Sequence, residues 1–329
     1  MTSTADIAVK RTARVFLITV LLVLLSSILQ ATLPAYMGLS PLNEGVLTAG
    51  LILTPWILVL PTLVFVAKNR VDTRGILGLN RFKVSSLFIS LVALIMFGRI
   101  ISLVNLISMK LGAFNYVESS MTMLGKLPLS LLLIAIAVLP GIFEELQFRG
   151  LYYGTFRRMG YFRGAVLSAL IFGLVHMNFN QFAYAFLMGI ILAFIAEANS
   201  STIVPMILHF VFNAMNVAAL LLPSYYRQMA EKSGDPTYAE TYNELKTLLS
   251  GSTGMPSWAE IARMLPLALF TAILGILLLR FTAKMNGRED LLRNYFKRGD
   301  VPMRRFFTPS GVIACVLLIG MMVSLAVLS

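Results

Sequence analysis

The stretch Leu131-Leu132-Leu133-Ile134-Ala135-Ile136-Ala137-Val138-Leu139-Pro140-Gly141-Ile142-Phe143-Glu144-Glu145 decides the fold class. An uncharged apolar run leads straight into two carboxylates. A bilayer core of about 30 Å needs roughly 20 apolar residues per helix, and eight other runs of this kind flank it. The chain is 58% hydrophobic and 13% charged, which places it among membrane proteins before any motif is read. Candidate spans fall at about 15–36, 47–67, 84–108, 128–154, 163–177, 181–197, 203–222, 258–280 and 309–328. The expected fold is all-α, a polytopic transmembrane helix bundle of nine spans around a core of five. That core, 84–222, holds the suspicious polar residues. It is preceded by a transmembrane hairpin with an interfacial connector, 1–83, and followed by a polar loop and C-terminal helices, 223–329.

Charge follows the spans. With the amino terminus in the cytoplasm, eighteen Lys and Arg fall in inner segments, including Lys10, Lys68, Arg157 and Arg288. Five fall in the opposite loops: Lys110, Lys126, Arg227, Lys232 and Lys246. That is a strong positive-inside bias. The net charge of +12 therefore points to a bilayer as partner, with anionic headgroups at the inner face, and not to nucleic acid. The expected location is a multi-pass protein of a bacterial plasma membrane. The first run has basic residues before it but no small-residue cleavage site after it, so it reads as a retained anchor. Segment 69–83 mixes basic and apolar residues like a surface-lying connector. Segment 281–308 is a basic strip at the inner interface, and 223–257 is an outer loop with amphipathic helix. Cys315 is the only cysteine, which excludes a disulfide framework and a thiolate metal cluster.

Three polar pieces interrupt the apolar runs: Glu144-Glu145-x-x-x-Arg149, Phe172-x-x-x-His176 and His209-x-x-x-Asn213. Ionisable groups inside a membrane are costly and mark functional sites, and these include both histidines of the chain. Glu145 and Arg149 are four apart and pair on a helix face. That leaves Glu144 free, and desolvation suits it to general acid–base work near neutrality. Glu144 lies 16 residues before Gly160 and His176 lies 16 after it. Equal offsets from a helical turn put the two at equal depth, at most about 24 Å from the turn. Phe172 packs one turn from His176. His209 and Asn213 share a helix face and can donate hydrogen bonds to an oxyanion; Pro205, one turn earlier, is expected to kink that helix. The plainer readings are interfacial glutamates and ordinary interhelical hydrogen bonds. Arg99, Asn105 and Arg263 read as buried partners or snorkelling side chains. Small residues such as Gly154, Gly164 and Ser168 allow close helix approach.

With this order and spacing, the chain resembles the CPBP family, the CAAX-protease and bacteriocin-processing intramembrane endopeptidases, over roughly 84–222. The resemblance rests on Glu144-Glu145-Leu146-Gln147-Phe148-Arg149, Phe172-Gly173-Leu174-Val175-His176 and His209-Phe210-Val211-Phe212-Asn213. It implies that Glu144 activates water with help from His176, that His209 and Asn213 hold the oxyanion, and that Glu145 and Arg149 brace the site. It further implies a peptide or lipidated-protein substrate. Such enzymes are often labelled metalloproteases. Glu144, His176 and His209 can be drawn as three zinc ligands with an open position, but Glu144 as a ligand could not also be the base. No cofactor is firmly implied. Two other classes fit the same residues: a proton-coupled transporter, which internal repeats would favour and which shows none, and a non-catalytic scaffold or bacteriocin self-immunity factor.

Overall fold

The computed structural model describes residues 4–40, 43–111, 127–250 and 256–328, so that Lys126 lies outside the described residues. All regular structure among them is helical. The elements are α1 (Thr4–Tyr36), α2 (Glu44–Asn69), α3 (Val84–Lys110) and α4 (Leu129–Met159), then α5 (Tyr161–Leu174), α6 (Phe179–Asn199) and α7 (Ile203–Ser233). They continue as α8 (Pro236–Ser250), α9 (Trp258–Met285), α10 (Glu289–Asn294) and α11 (Pro309–Leu328). Eight of these, α1–α4, α6, α7, α9 and α11, are long and apolar enough to cross a membrane. The protein is therefore a polytopic all-α bundle of the multi-pass membrane type.

The fifth span differs from expectation. It is 14 residues long, or about 21 Å, shorter than the bilayer core of about 30 Å. The helix stops because Met177 takes a left-handed backbone conformation, with φ of 52°. Asn178 then caps α6, its side chain accepting from the Gln181 N–H at 2.8 Å. An asparagine cap offers the backbone a better partner than a continued helix would. His176 consequently sits in the break between α5 and α6, not on a helix.

The basic segments gather at one end of the bundle, as alternating spans require. Lys83 at the start of α3 donates to the Met285 carbonyl at the end of α9 at 2.6 Å, and Gly299 N–H donates to the Met159 carbonyl at 3.0 Å. Gly160 reverses the chain between α4 and α5 with φ of +110°, a conformation that side chains resist. Gly164 then lets α5 lie against the end of α4, where a Cβ would come within 2.6 Å of the Arg157 nitrogen. The connector 69–83 is more than a surface strip. Leu77 is buried in the main core with Phe148 and Leu151, and the Gly78 carbonyl accepts from Thr202 N–H at 2.8 Å. At the far end α7 runs on through Pro223, and α8 folds back against it.

One buried carboxylate that no sequence motif marks ties this basic end together. Glu197, near the end of α6, is paired with Arg157 and with Arg288, each at 2.8 Å. Arg157 also donates to the Gly75 carbonyl of the connector, and Arg288 donates to Ser200 Oγ at 2.8 Å. Four segments distant in sequence thus meet on one acid. Glu197→Gln is expected to lower the thermal unfolding midpoint in detergent clearly. The cost should fall below the ~3–5 kcal/mol of a fully buried pair, because the two arginines stay 33% and 20% exposed. Glu231→Gln breaks the exposed pair with Arg227 and should change stability by less than about 1 kcal/mol, leaving the midpoint close to that of wild type.

Candidate active site

The polar pieces converge where α4, α5, α6 and α7 meet. Glu145 is fully buried, and its Oε1 accepts from Arg149 Nη1 at 2.7 Å and from His209 Nδ1 at 2.8 Å. The expected Glu145–Arg149 brace is present and gains His209 as a third member. Because Glu145 is ionised against Arg149, it can only accept, so the His209 Nδ1 must carry a proton. The opposite nitrogen, Nε2, then faces Glu144 Oε2 at 3.9 Å. Arg149 in turn lies over the Phe172 ring, its Cζ 4.3 Å from the centroid, a cation–π contact. Phe172 stands edge-on to both histidines, with ring centroids 5.1 Å from His176 and 6.0 Å from His209.

The break after α5 orients His176. Its Nδ1 lies 2.8 Å from the Phe172 carbonyl, one of the acceptors that a helix C-terminus leaves without an internal partner. A carbonyl cannot donate, so Nδ1 carries a proton and Nε2 is the nitrogen left over for the cavity. Both histidines are therefore held by the same logic, with Nδ1 spent on an acceptor and Nε2 left for chemistry.

Asn213 solves a different backbone problem. Pro140 has no N–H for the Ile136 carbonyl, its helical acceptor four residues back. The Asn213 amide supplies one instead, donating to that carbonyl at 3.0 Å. The surrounding helix is π-wound over Leu133–Val138 and again over Glu145–Tyr153, a winding that recurs at functional sites. Pro205 does not kink α7. It falls in the first turn, where a missing N–H has no intrahelical partner to lose.

Glu144, Phe172, His176, His209 and Asn213 all line one cavity of about 660 Å³. The N-terminal hairpin forms part of its wall through Gln30, Val46, Leu51 and Thr54, and α6 contributes Gln181 and Tyr184. None of these wall residues belongs to a motif legible in the sequence. Gln181 and Tyr184, three apart near the start of α6, are the pair whose polarity and spacing could have drawn attention. Among the described residues no group of three His, Cys, Asp or Glu side chains is placed to hold a metal ion. The Glu144, His176 and His209 set is not gathered closely enough to be such a group, and His209 Nε2 lies 3.9 Å from Glu144 Oε2.

Residues 126–215, which contain every motif residue, match the family model described as Type II CAAX prenyl endopeptidase Rce1-like. The CPBP resemblance holds over that segment. The match supports a protease of the CAAX type in general terms. No curated protein and no solved structure matches the chain.

Two substitutions separate the brace from the rest of the site. Glu145→Leu leaves the Arg149 guanidinium buried without its carboxylate and is expected to cost about 3–5 kcal/mol of stability, read as loss of monodisperse protein or a fall in melting temperature. Asn213→Ala orphans the Ile136 carbonyl and should cost about 1–3 kcal/mol by the same measurement. A variant that melts with the wild type would show that its residue, Glu145 or Asn213, does not hold the bundle together through these hydrogen bonds.

Proposed function

We propose that the protein is an intramembrane endopeptidase that hydrolyses a peptide bond with a water activated by Glu144 and His176. What carries the reading is the single cavity that gathers Glu144 and the two histidines, both oriented by a hydrogen bond at Nδ1. In this reading Glu144 takes the proton from water as it attacks the peptide carbonyl, and His176 Nε2 accepts a hydrogen bond from the same water and aims it. Negative charge grows on the carbonyl oxygen. It is met by the second Asn213 amide hydrogen, the first being given to Ile136, and by a hydrogen bond from His209 Nε2. Glu144 then delivers the proton to the leaving amine.

The substrate class follows from the walls. Val46, Leu47, Leu51 and Pro55 make one side of the cavity apolar, which suits a lipidated carboxy-terminal tail or a small membrane or secreted peptide. The basic end of the bundle faces the cytoplasm of a bacterium in this proposal.

Peptide termini compared between membranes carrying wild type and Glu144→Gln test the reading directly. New termini are expected in the wild type and absent in the variant at equal protein level. Cleavage should persist when a zinc chelator is added. Identical termini in the two membranes would sink the protease reading, and loss of cleavage with chelator would sink the metal-free step. Asn213→Asp removes the oxyanion donor together with the bond to Ile136, and kcat of the folded variant is expected to fall about 10²–10³-fold.

A further inference from the structure

Two arginines inside the spans take no part in the site. Arg99 lies eleven residues before Lys110 at the end of α3, about 16 Å along the helix axis. Arg263 lies five residues into α9, about 8 Å from its start. Because α3 begins and α9 ends at the basic end of the bundle, both arginines belong to the opposite half of the membrane. Both side chains are exposed, and at these positions exposure is to lipid.

They line one cleft of about 530 Å³ between the two helices, with Ser102, Leu106, Met264 and Leu267. Among the described residues neither guanidinium makes a hydrogen bond or an ion pair. The carboxylate in the cleft wall, Glu260, is turned toward the helix start, where its Oε2 accepts from Ser257 N–H at 2.7 Å in a capping box. Arg263 and Lys110 both stand within electrostatic reach of that same glutamate, one negative charge against the positive charges of Arg99, Arg263 and Lys110. The cleft therefore keeps a net positive charge beside an apolar wall. This differs from the basic end, where Arg157 and Arg288 are each bonded to Glu197 and to a backbone carbonyl or hydroxyl.

Excess charge beside an apolar wall persists where a partner of opposite charge comes to it. The guanidinium fork matches phosphate oxygens in pairs, and the bilayer supplies phosphates with acyl chains attached. We infer that this cleft binds an anionic glycerophospholipid of the leaflet opposite the basic end. Arg99 and Arg263 hold its phosphodiester, with the Ser102 hydroxyl beside them. Met264 and Leu267, deeper along α9 than Arg263, receive the first part of an acyl chain. The lipid bridges α3 and α9 and is independent of the proteolytic reading.

Native mass spectrometry tests this on the full chain released from phosphatidylcholine bilayers doped with phosphatidylglycerol. Wild type is expected to carry one retained phosphatidylglycerol. The Arg99→Gln/Arg263→Gln double variant should retain about ten-fold less, and Arg227→Gln, on an exposed surface, should match wild type. Leu267→Trp keeps both arginines, fills the wall, and should also lose the adduct. Elution profile and melting temperature identify which variants are folded. A folded double variant or Leu267→Trp that retains as much lipid as wild type overturns the inference. So does displacement of the lipid by millimolar inorganic phosphate, which would make the cleft a site for free anions.

Discussion

The carboxylate of Glu145 is withdrawn completely from solvent and shared between a guanidinium and an imidazole. A charge in that position is tolerated only with partners, and the partners come from α4 itself and from α7. The requirement fixes the rotation of α7 against α4, and with it the direction in which His209 presents Nε2. It also places Arg149 against Phe172, so the position of α5 is tied to the same charge. The site's chemistry is thus a consequence of how one buried anion is neutralised. Glu144, its sequence neighbour, is left facing the cavity because successive residues on a helix point in different directions.

Much of this is legible in the sequence, and for identifiable reasons. Hydrophobic length marks spans almost independently of tertiary context, since lipid forces every backbone polar group to pair within a helix. The i, i+4 spacing of Glu145 and Arg149 and of His209 and Asn213 fixes which face each pair shares. What spacing cannot give is the partner across the bundle. Asn213 donates to Ile136, seventy-seven residues away, and the reason lies in Pro140, which reads in sequence as a mild irregularity within an apolar run. The end of α5 falls two to three residues earlier than hydropathy suggests, because Val175, His176 and Met177 are compatible with a buried helix. The cap at Asn178 decides against it. Glu197 escapes notice because a single glutamate at the end of an apolar run is the ordinary mark of an interface; its two arginines lie 40 residues before it and 91 after it.

The departures from regular helix are concentrated where function is proposed. Within α4 the π-wound stretches flank the short α-helical turn that carries Pro140 and Glu144. Wider winding turns side chains by less than the usual angle and leaves carbonyls for partners outside the helix. Asn213 uses one such carbonyl. In α5 the equivalent device is the helix end itself, whose Phe172 carbonyl binds His176. In both places a backbone acceptor that regular structure would have consumed is used to aim a side chain. The backbone irregularity is then a cost to the fold that is offset by orientation at the site.

The N-terminal hairpin bears on how the cavity can be reached. Gln30 of α1 bonds Ser26 at 2.8 Å and reaches Thr54 of α2 at 3.4 Å, a thin polar link beside an otherwise apolar interface. These residues face Glu144 and His176 across the cavity. By contrast, α4, α5 and α6 are joined by the Arg157–Glu197 ion pair, by the Ser168 hydroxyl donating to the Phe148 carbonyl at 2.6 Å, and by close glycine contacts. The cavity therefore has one rigid wall that holds the reacting groups and one wall held mainly by apolar packing. In a membrane, where lipid tails compete with such packing on nearly equal terms, the second wall is the one that can part. For the proposed endopeptidase this puts the route of a substrate segment from the bilayer between α2 and the rest of the bundle, away from Glu145 and its partners.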